Sequence, residues 1–194
     1  MRETSKSRNM WSPNAIEWTI LKGDVIDIGA SNDPVTPNAK IFDKDEGDAN
    51  TISRYVKKQF NCVYASHCLE HMHKPKEAIL EWWKLVKPGG YIFFTVPDED
   101  LYEQGVFPSR FNPDHKATFT LAKAKSWSPV SINVFDLARS LPNGKIIKIE
   151  LQDNGYDRKF MTFGPRHHLI FKAVDQTRKP DVLAQISCIV QKIS

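Results

Sequence analysis

Two clusters in this chain carry side chains able to move a proton or hold an ion: His67-Cys68-Leu69-Glu70-His71 and Arg110-Phe111-Asn112-Pro113-Asp114-His115-Lys116. The first fits H-x-x-E-H, a pattern in which two imidazoles one helical turn apart bind zinc and the glutamate acts as general base. That chemistry requires a regular helix and a third ligand elsewhere. Here the motif follows an apolar run, Cys62 to Ser66, without a break, and Pro75 comes two residues after His73. No metal is therefore expected, and a zinc hydrolase stands only as an outside alternative; His71 is expected to pack or hydrogen-bond. In the second cluster His115 is of the residue type that titrates near neutrality, which suits a general base or a hydrogen bond to substrate. Arg110 and Lys116 have the charge to hold a phosphate or carboxylate, and Asp114 is grouped with them on the substrate side.

A second set of candidates is a series of acids near the ends of short apolar runs. Asp24 to Pro34, DVIDIGASNDP, reads as a buried strand that carries Asp27 and stops at Gly29, where a ligand can approach bare backbone. Asp43 ends the run AKIFD, and one carboxylate there can accept from both hydroxyls of a ribose. Asp48 follows five residues later, placed to accept an adenine amino group, with Ala49 against the ring. A dinucleotide fingerprint would need glycines where Ser31 and Pro34 stand, so no pyrophosphate cradle is expected. A nucleoside without phosphate remains open.

These residues need a scaffold that brings them to one rim. The runs 39–43, 62–66 and 91–96 are strands in an open parallel sheet, and 145–151 and 184–193 read as an antiparallel pair at its edge. Apolar spacing predicts helices over Thr51 to Phe60, Pro75 to Val86 and Ser128 to Leu141, the last capped by Ser128. The segment after Gly29, with Pro34 and Pro37, is too short for a full helix, so the first crossover is abbreviated. Residues 1–10 read as frayed, and Trp11 and Trp18 as aromatics packing a terminus. A long polar connection, 97–127, faces the substrate side. The insertion 154–180 holds His167, His168 and an apolar run, His168 to Val174, whose structure the sequence leaves open.

The totals bound the alternatives. The 194 residues suit one domain, 41% hydrophobic and 26% charged. A net charge of +4, spread over scattered lysines such as Lys57, Lys58, Lys123 and Lys125, makes no nucleic-acid footprint. Cys62, Cys68 and Cys188 form no disulfide framework, and no signal peptide or membrane span is read, so a cytoplasmic protein with reduced cysteines is expected. Oligomeric state is left open, a homodimer included.

Taken in order, VIDIGAS, IFD, GDA, CVYASHCLEH and LVKPGGYIFFTVP resemble the class I S-adenosylmethionine-dependent methyltransferases, in particular the type 11-like group that acts on small molecules and glycans. The resemblance implies an α/β, Rossmann-like, mostly parallel seven-stranded sheet with a reversed last strand and helices on both faces. It implies S-adenosyl-L-methionine as cofactor, with Asp27, Gly29, Ala30 and Ser31 around the methionine part. Asp43 would hold ribose, Asp48 and Ala49 adenine, and Ser66 and His67 the reactive side. The chain departs from the family pattern at Ser31, commonly glycine, and in the abbreviated crossover. The expected activity is methyl transfer to a small-molecule or glycan-like acceptor at oxygen. A non-catalytic adenosylmethionine-binding module of the same fold is the alternative.

Overall fold

The computed structural model describes residues 3–121, 123–164 and 173–194. Its strands are β1 (Val25–Ile28), β2 (Lys40–Phe42), β3 (Phe60–Ser66), β4 (Val86–Pro97), β5 (Thr118–Thr120), β6 (Ser131–Asn133), β7 (Gly144–Gln152) and β8 (Gln185–Lys192). Six form one sheet in the order β2-β1-β3-β4-β8-β7, while β5 and β6 pair separately. Pairings from β2 through β4 are parallel, and β8 runs antiparallel to both β4 and β7. The Rossmann-like sheet with its reversed last strand is present, with six strands among the described residues instead of the expected seven. Residues 43–59, between β2 and β3, are too few for the two crossovers a further parallel strand would need, at about a dozen residues each.

All four residues of β1 are buried, as a strand covered on both faces must be. One face packs Ile26, Ile28, Phe42 and Val63 under α3 (Pro75–Lys84) and α4 (Val134–Arg139). The other packs Val25, Tyr64 and Phe93 under Val35 and the segment containing α1 (Glu3–Asn9) and α2 (Ile16–Ile20). Helix α3 starts with Pro75 at its first turn and turns Ala78, Ile79, Trp82 and Trp83 inward. The two indoles are also anchored, Trp82 donating to the Ala49 carbonyl and Trp83 to that of Pro142. Trp11 and Trp18 meet edge to face at 5.1 Å, and Trp11 lies 5.7 Å from Phe93, so this pair packs the terminus onto the sheet.

Three sequence expectations change. Thr51 to Phe60 is not a helix: a 3-10 turn covers Ala49–Arg54, and Phe60 opens β3 opposite Val86. The helix expected over 128–141 shrinks to α4 because Ser131–Asn133 is drawn into pairing with β5. Asn133, not Ser128, is its cap, accepting from the Phe135 and Asp136 amides at 2.9 and 3.2 Å. Residues 3–9 are not frayed, since α1 docks on the rim through Ser5 to Asp33, Ser7 to Gln185 and Lys6 to the Thr177 carbonyl. His167, His168 and most of the apolar run beginning there lie outside the described residues. Among the described residues no helix is long and apolar enough to cross a membrane.

Candidate active site

At the carboxyl ends of β1, β2 and β3 a cleft of about 940 Å³ opens. Gly29, Ser31, Asp43, Asp48, Ala49 and His67 line it, with Asp114 and Lys116 contributed by the 97–127 connection. Gly29 has φ +78°, and a Cβ there would stand 2.8 Å from Cys68 Sγ. Its amide donates to the Phe42 carbonyl at 2.8 Å, joining β1 to β2 at the lip. Ser31 takes φ +49°, the left-handed conformation that glycine adopts freely. Its amide donates to Asp43 Oδ2 at 2.8 Å, while Asp43 Oδ1 accepts from the Lys44 amide at 2.8 Å. Each carboxylate oxygen retains a lone pair for a hydroxyl. Asp48 caps the 3-10 turn, and hydrogen bonds from the Asn50 side chain and amide hold its carboxyl below the usual range.

Four expected site residues lie elsewhere. Asp27 is wholly buried beneath the loop after β1, where Oδ2 accepts from the Val35 amide at 2.7 Å and Oδ1 has no partner among the described residues. Burial pushes its carboxyl up to about 7, against the opposing Val35 hydrogen bond. Ala30 sits inside the turn, its carbonyl accepting from the Asp33 amide at 2.9 Å. Ser66 Oγ accepts from Thr95 Oγ1 at 3.0 Å, behind the wall. Arg110 reaches away, with 3.4 Å contacts to Thr162 Oγ1 and the Gly164 carbonyl, and ties the long connection to the following insertion.

A second, smaller pocket of about 270 Å³ adjoins the cleft, and His67 and His71 line both. Glu70, Tyr102, His115 and Gln185 complete its working wall. His115 is buried, with Nδ1 2.6 Å from Glu103 Oε1. Glu103 comes from a π-helical turn, Glu99–Glu103, that follows β4. The His71 and His115 rings meet at 5.0 Å, and His71 Nδ1 lies 2.9 Å from Asp114 Oδ2.

His67 sits at φ +49° with Nε2 2.8 Å from Gln185 Oε1 and Nδ1 3.4 Å from Glu70 Oε1. The Gln185 amide nitrogen is committed to Ser7 and Gln152, so its oxygen faces His67 and the imidazole must donate. Burial pushes His67 down, but the close carboxylate of Glu70 outweighs it and raises the imidazole to about 9. Burial pushes Glu70 up, yet His67 brings it below its ordinary value. The zinc-peptidase helix is not formed: Leu69–His71 is one 3-10 turn, and His67 points to Gln185.

Sequence reasoning overlooked Glu103, Tyr102 and Gln185 and gave Glu70 no pocket role. Their positions span residues 70 to 185, and the turn that carries Tyr102 and Glu103, EDLYE, is too acidic to signal burial locally.

A sequence model described as a methyltransferase domain matches residues 11–156. No curated protein matches the chain. Among solved structures, a SAM-dependent methyltransferase from Archaeoglobus fulgidus has a TM-score of 0.54 at 14% identity, over 99% of this chain and 95% of the other. A Bacillus halodurans protein described as a methyltransferase also scores 0.54, at 12% identity, over 95% of this chain and all of its own. The [4+2]-cyclase SpnF scores 0.51 at 15% identity, over 92% of this chain and 78% of its own. At such identities the likeness shows the fold, and the cyclase illustrates that one fold serves several reactions.

Proposed function

This chain belongs to the methyltransferase-domain family and is an S-adenosylmethionine-dependent methyltransferase; from that premise we propose that it methylates a hydroxyl oxygen of a small or glycan-like acceptor. The observation that carries this reading is the pair of adjoining cavities that share His67 and His71, the inner one backed by the buried His115–Glu103 pair.

The residues of the cleft fit the cofactor. Gly29 keeps the lip free of a Cβ, Asp43 has lone pairs for ribose hydroxyls, and Asp48 and Ala49 offer an acceptor and an apolar contact for adenine. When bound, S-adenosylmethionine supplies a sulfonium methyl open to in-line displacement, for which alignment and exclusion of water matter most. Glu103 orients His115 through Nδ1 and leaves Nε2 to accept the acceptor's proton. Asp114 and Lys116 line the cleft, where they would orient an acceptor. The whole chain would serve as one domain in the cytoplasm, where its three buried free cysteines stay reduced. Lys123, spent on Glu99 and Asp100, is not available to a nucleic-acid phosphate.

Calorimetric titration with S-adenosylhomocysteine tests the cleft. One-to-one binding is expected, and Asp43→Ala should weaken it by roughly 1 to 3 kcal/mol, the cost of losing hydrogen bonds to a charged group. Unchanged affinity in the folded variant would remove Asp43 from the site. With an acceptor in hand, His115→Ala should lower turnover by about 10² to 10⁴ and spare homocysteine-nucleoside affinity.

A further inference from the structure

We propose that Glu70, His71 and His115 form a binding site for one divalent transition-metal ion where the cleft meets the inner pocket. Ligand atoms of the three residues all lie within 4.8 Å of one another. Bonds of about 2.0 to 2.2 Å to a shared ion would need shifts of roughly an ångström.

The hydrogen bonds sort the nitrogens. Glu103 Oε1 takes His115 Nδ1 at 2.6 Å, and Asp114 Oδ2 takes His71 Nδ1 at 2.9 Å. A carboxylate on Nδ1 places the hydrogen there and leaves the Nε2 lone pair free to bind an ion. Metal-bound imidazoles carry this outer support.

Glu70 supplies an independent observation. It is fully buried, and neither carboxylate oxygen has a hydrogen-bond partner among the described residues. Oε1 has His67 Nδ1 at 3.4 Å, an ionic contact, whereas Oε2 has no ionic partner among the described residues. His67 meets this carboxylate's charge from the Oε1 side, and Oε2 is the oxygen left to take a second cation. The Glu70 carbonyl also accepts from the Lys116 amide at 2.8 Å, which pins the segment bearing His115 against the exit of β3. The convergence is therefore set by backbone as well as by side chains.

Two imidazole nitrogens and one carboxylate suit zinc, iron(II) or manganese(II), and three protein ligands leave positions open. Those positions would take oxygen donors of a chelating acceptor, such as neighbouring hydroxyls. This role rests on the acceptor reading of the inner pocket; the ion site does not. A bound ion would occupy the His71 and His115 nitrogens and would acidify a coordinated acceptor hydroxyl, whose proton would then pass to solvent; without the ion, His115 takes that proton.

The test uses the full chain after chelator treatment, titrated with Co²⁺ and followed by its visible absorption, with Zn²⁺ as competitor. One ion per chain at about micromolar affinity or tighter is expected. Glu70→Gln should weaken it at least about tenfold, and Glu103→Gln by roughly 10- to 100-fold. S-adenosylhomocysteine affinity should stay within about twofold, since neither residue lines the cleft. Absence of saturable binding, or parent-like affinity in folded Glu70→Gln, would overturn the site. If Glu70→Gln fails to fold by circular dichroism, the partly exposed His71→Ala carries the same expected loss. Nucleoside binding without Co²⁺ uptake would overturn the metal site and leave the methyltransferase reading intact. Co²⁺ uptake without nucleoside binding would support the site and count against the cleft assignment alone.

Discussion

The wall of the cleft and the wall of the inner pocket are built in different ways. The cleft rests on backbone conformation: Gly29, Ser31 and His67 all take positive φ, and the Gly29 and Ser31 amides bind partners in or just after β2. The inner pocket rests on buried side chains paired over long spans, such as Gln185 with His67 and Glu103 with His115. A backbone-built wall holds its shape through most side-chain changes, whereas a network of buried acids depends on each member. The two walls can thus vary separately.

The largest expected effect comes from Glu99, which is fully buried at the start of the π-helical turn. It accepts from Thr118 and Ser131 hydroxyls at 3.0 and 2.6 Å, from Ser126 at 2.7 Å and from Lys123 at 2.9 Å. Glu99→Ala strands the three hydroxyl donors, while Lys123 keeps Asp100, and should cost about 3 to 5 kcal/mol in denaturant unfolding. Cofactor-product affinity should remain within about twofold in the folded fraction. A parallel loss of both would show that the two walls are coupled.

Asp27 probes the other side through pH. Its carboxyl rises from 3.8 to about 7 on folding because it is buried, with Asp33 and Asp43 adding to the rise and the Val35 amide opposing it. The native state therefore binds this proton more tightly than the unfolded chain. The stability it contributes is complete below about pH 4 and is lost as pH climbs through 7. At 1.36 kcal/mol per tenfold change, that amounts to about 4 kcal/mol. Urea unfolding across this range should show a downward slope that Asp27→Asn removes; equal slopes would mean Asp27 does not hold the proton.

The smallest effect sharpens the backbone argument. Ser31→Gly should relieve a left-handed residue and stabilise the fold by roughly 1 kcal/mol, read as a higher melting temperature. A destabilised variant would show that the Ser31 side chain holds the lip in its own right.

Local pattern by itself determined the six strands of the main sheet, α3 and the order of Gly29, Asp43, Asp48 and Ala49 along the chain; β5 and β6 were not read from it. Continuous apolar runs mark buried parallel strands, and each of these residues lies at or just after a strand end. That 51–60 forms no α-helix and that the helix at 128–141 is short were not legible, because Phe60 and Ser131–Asn133 follow the demands of distant strands over local spacing. Only tertiary structure decided that Asp27 turns beneath the loop, that Arg110 ties loop to insertion, and that Glu70, His71, Glu103 and His115 meet. Contacts between residues tens of positions apart depend on how connections pack over the sheet, and no periodicity along the chain encodes that.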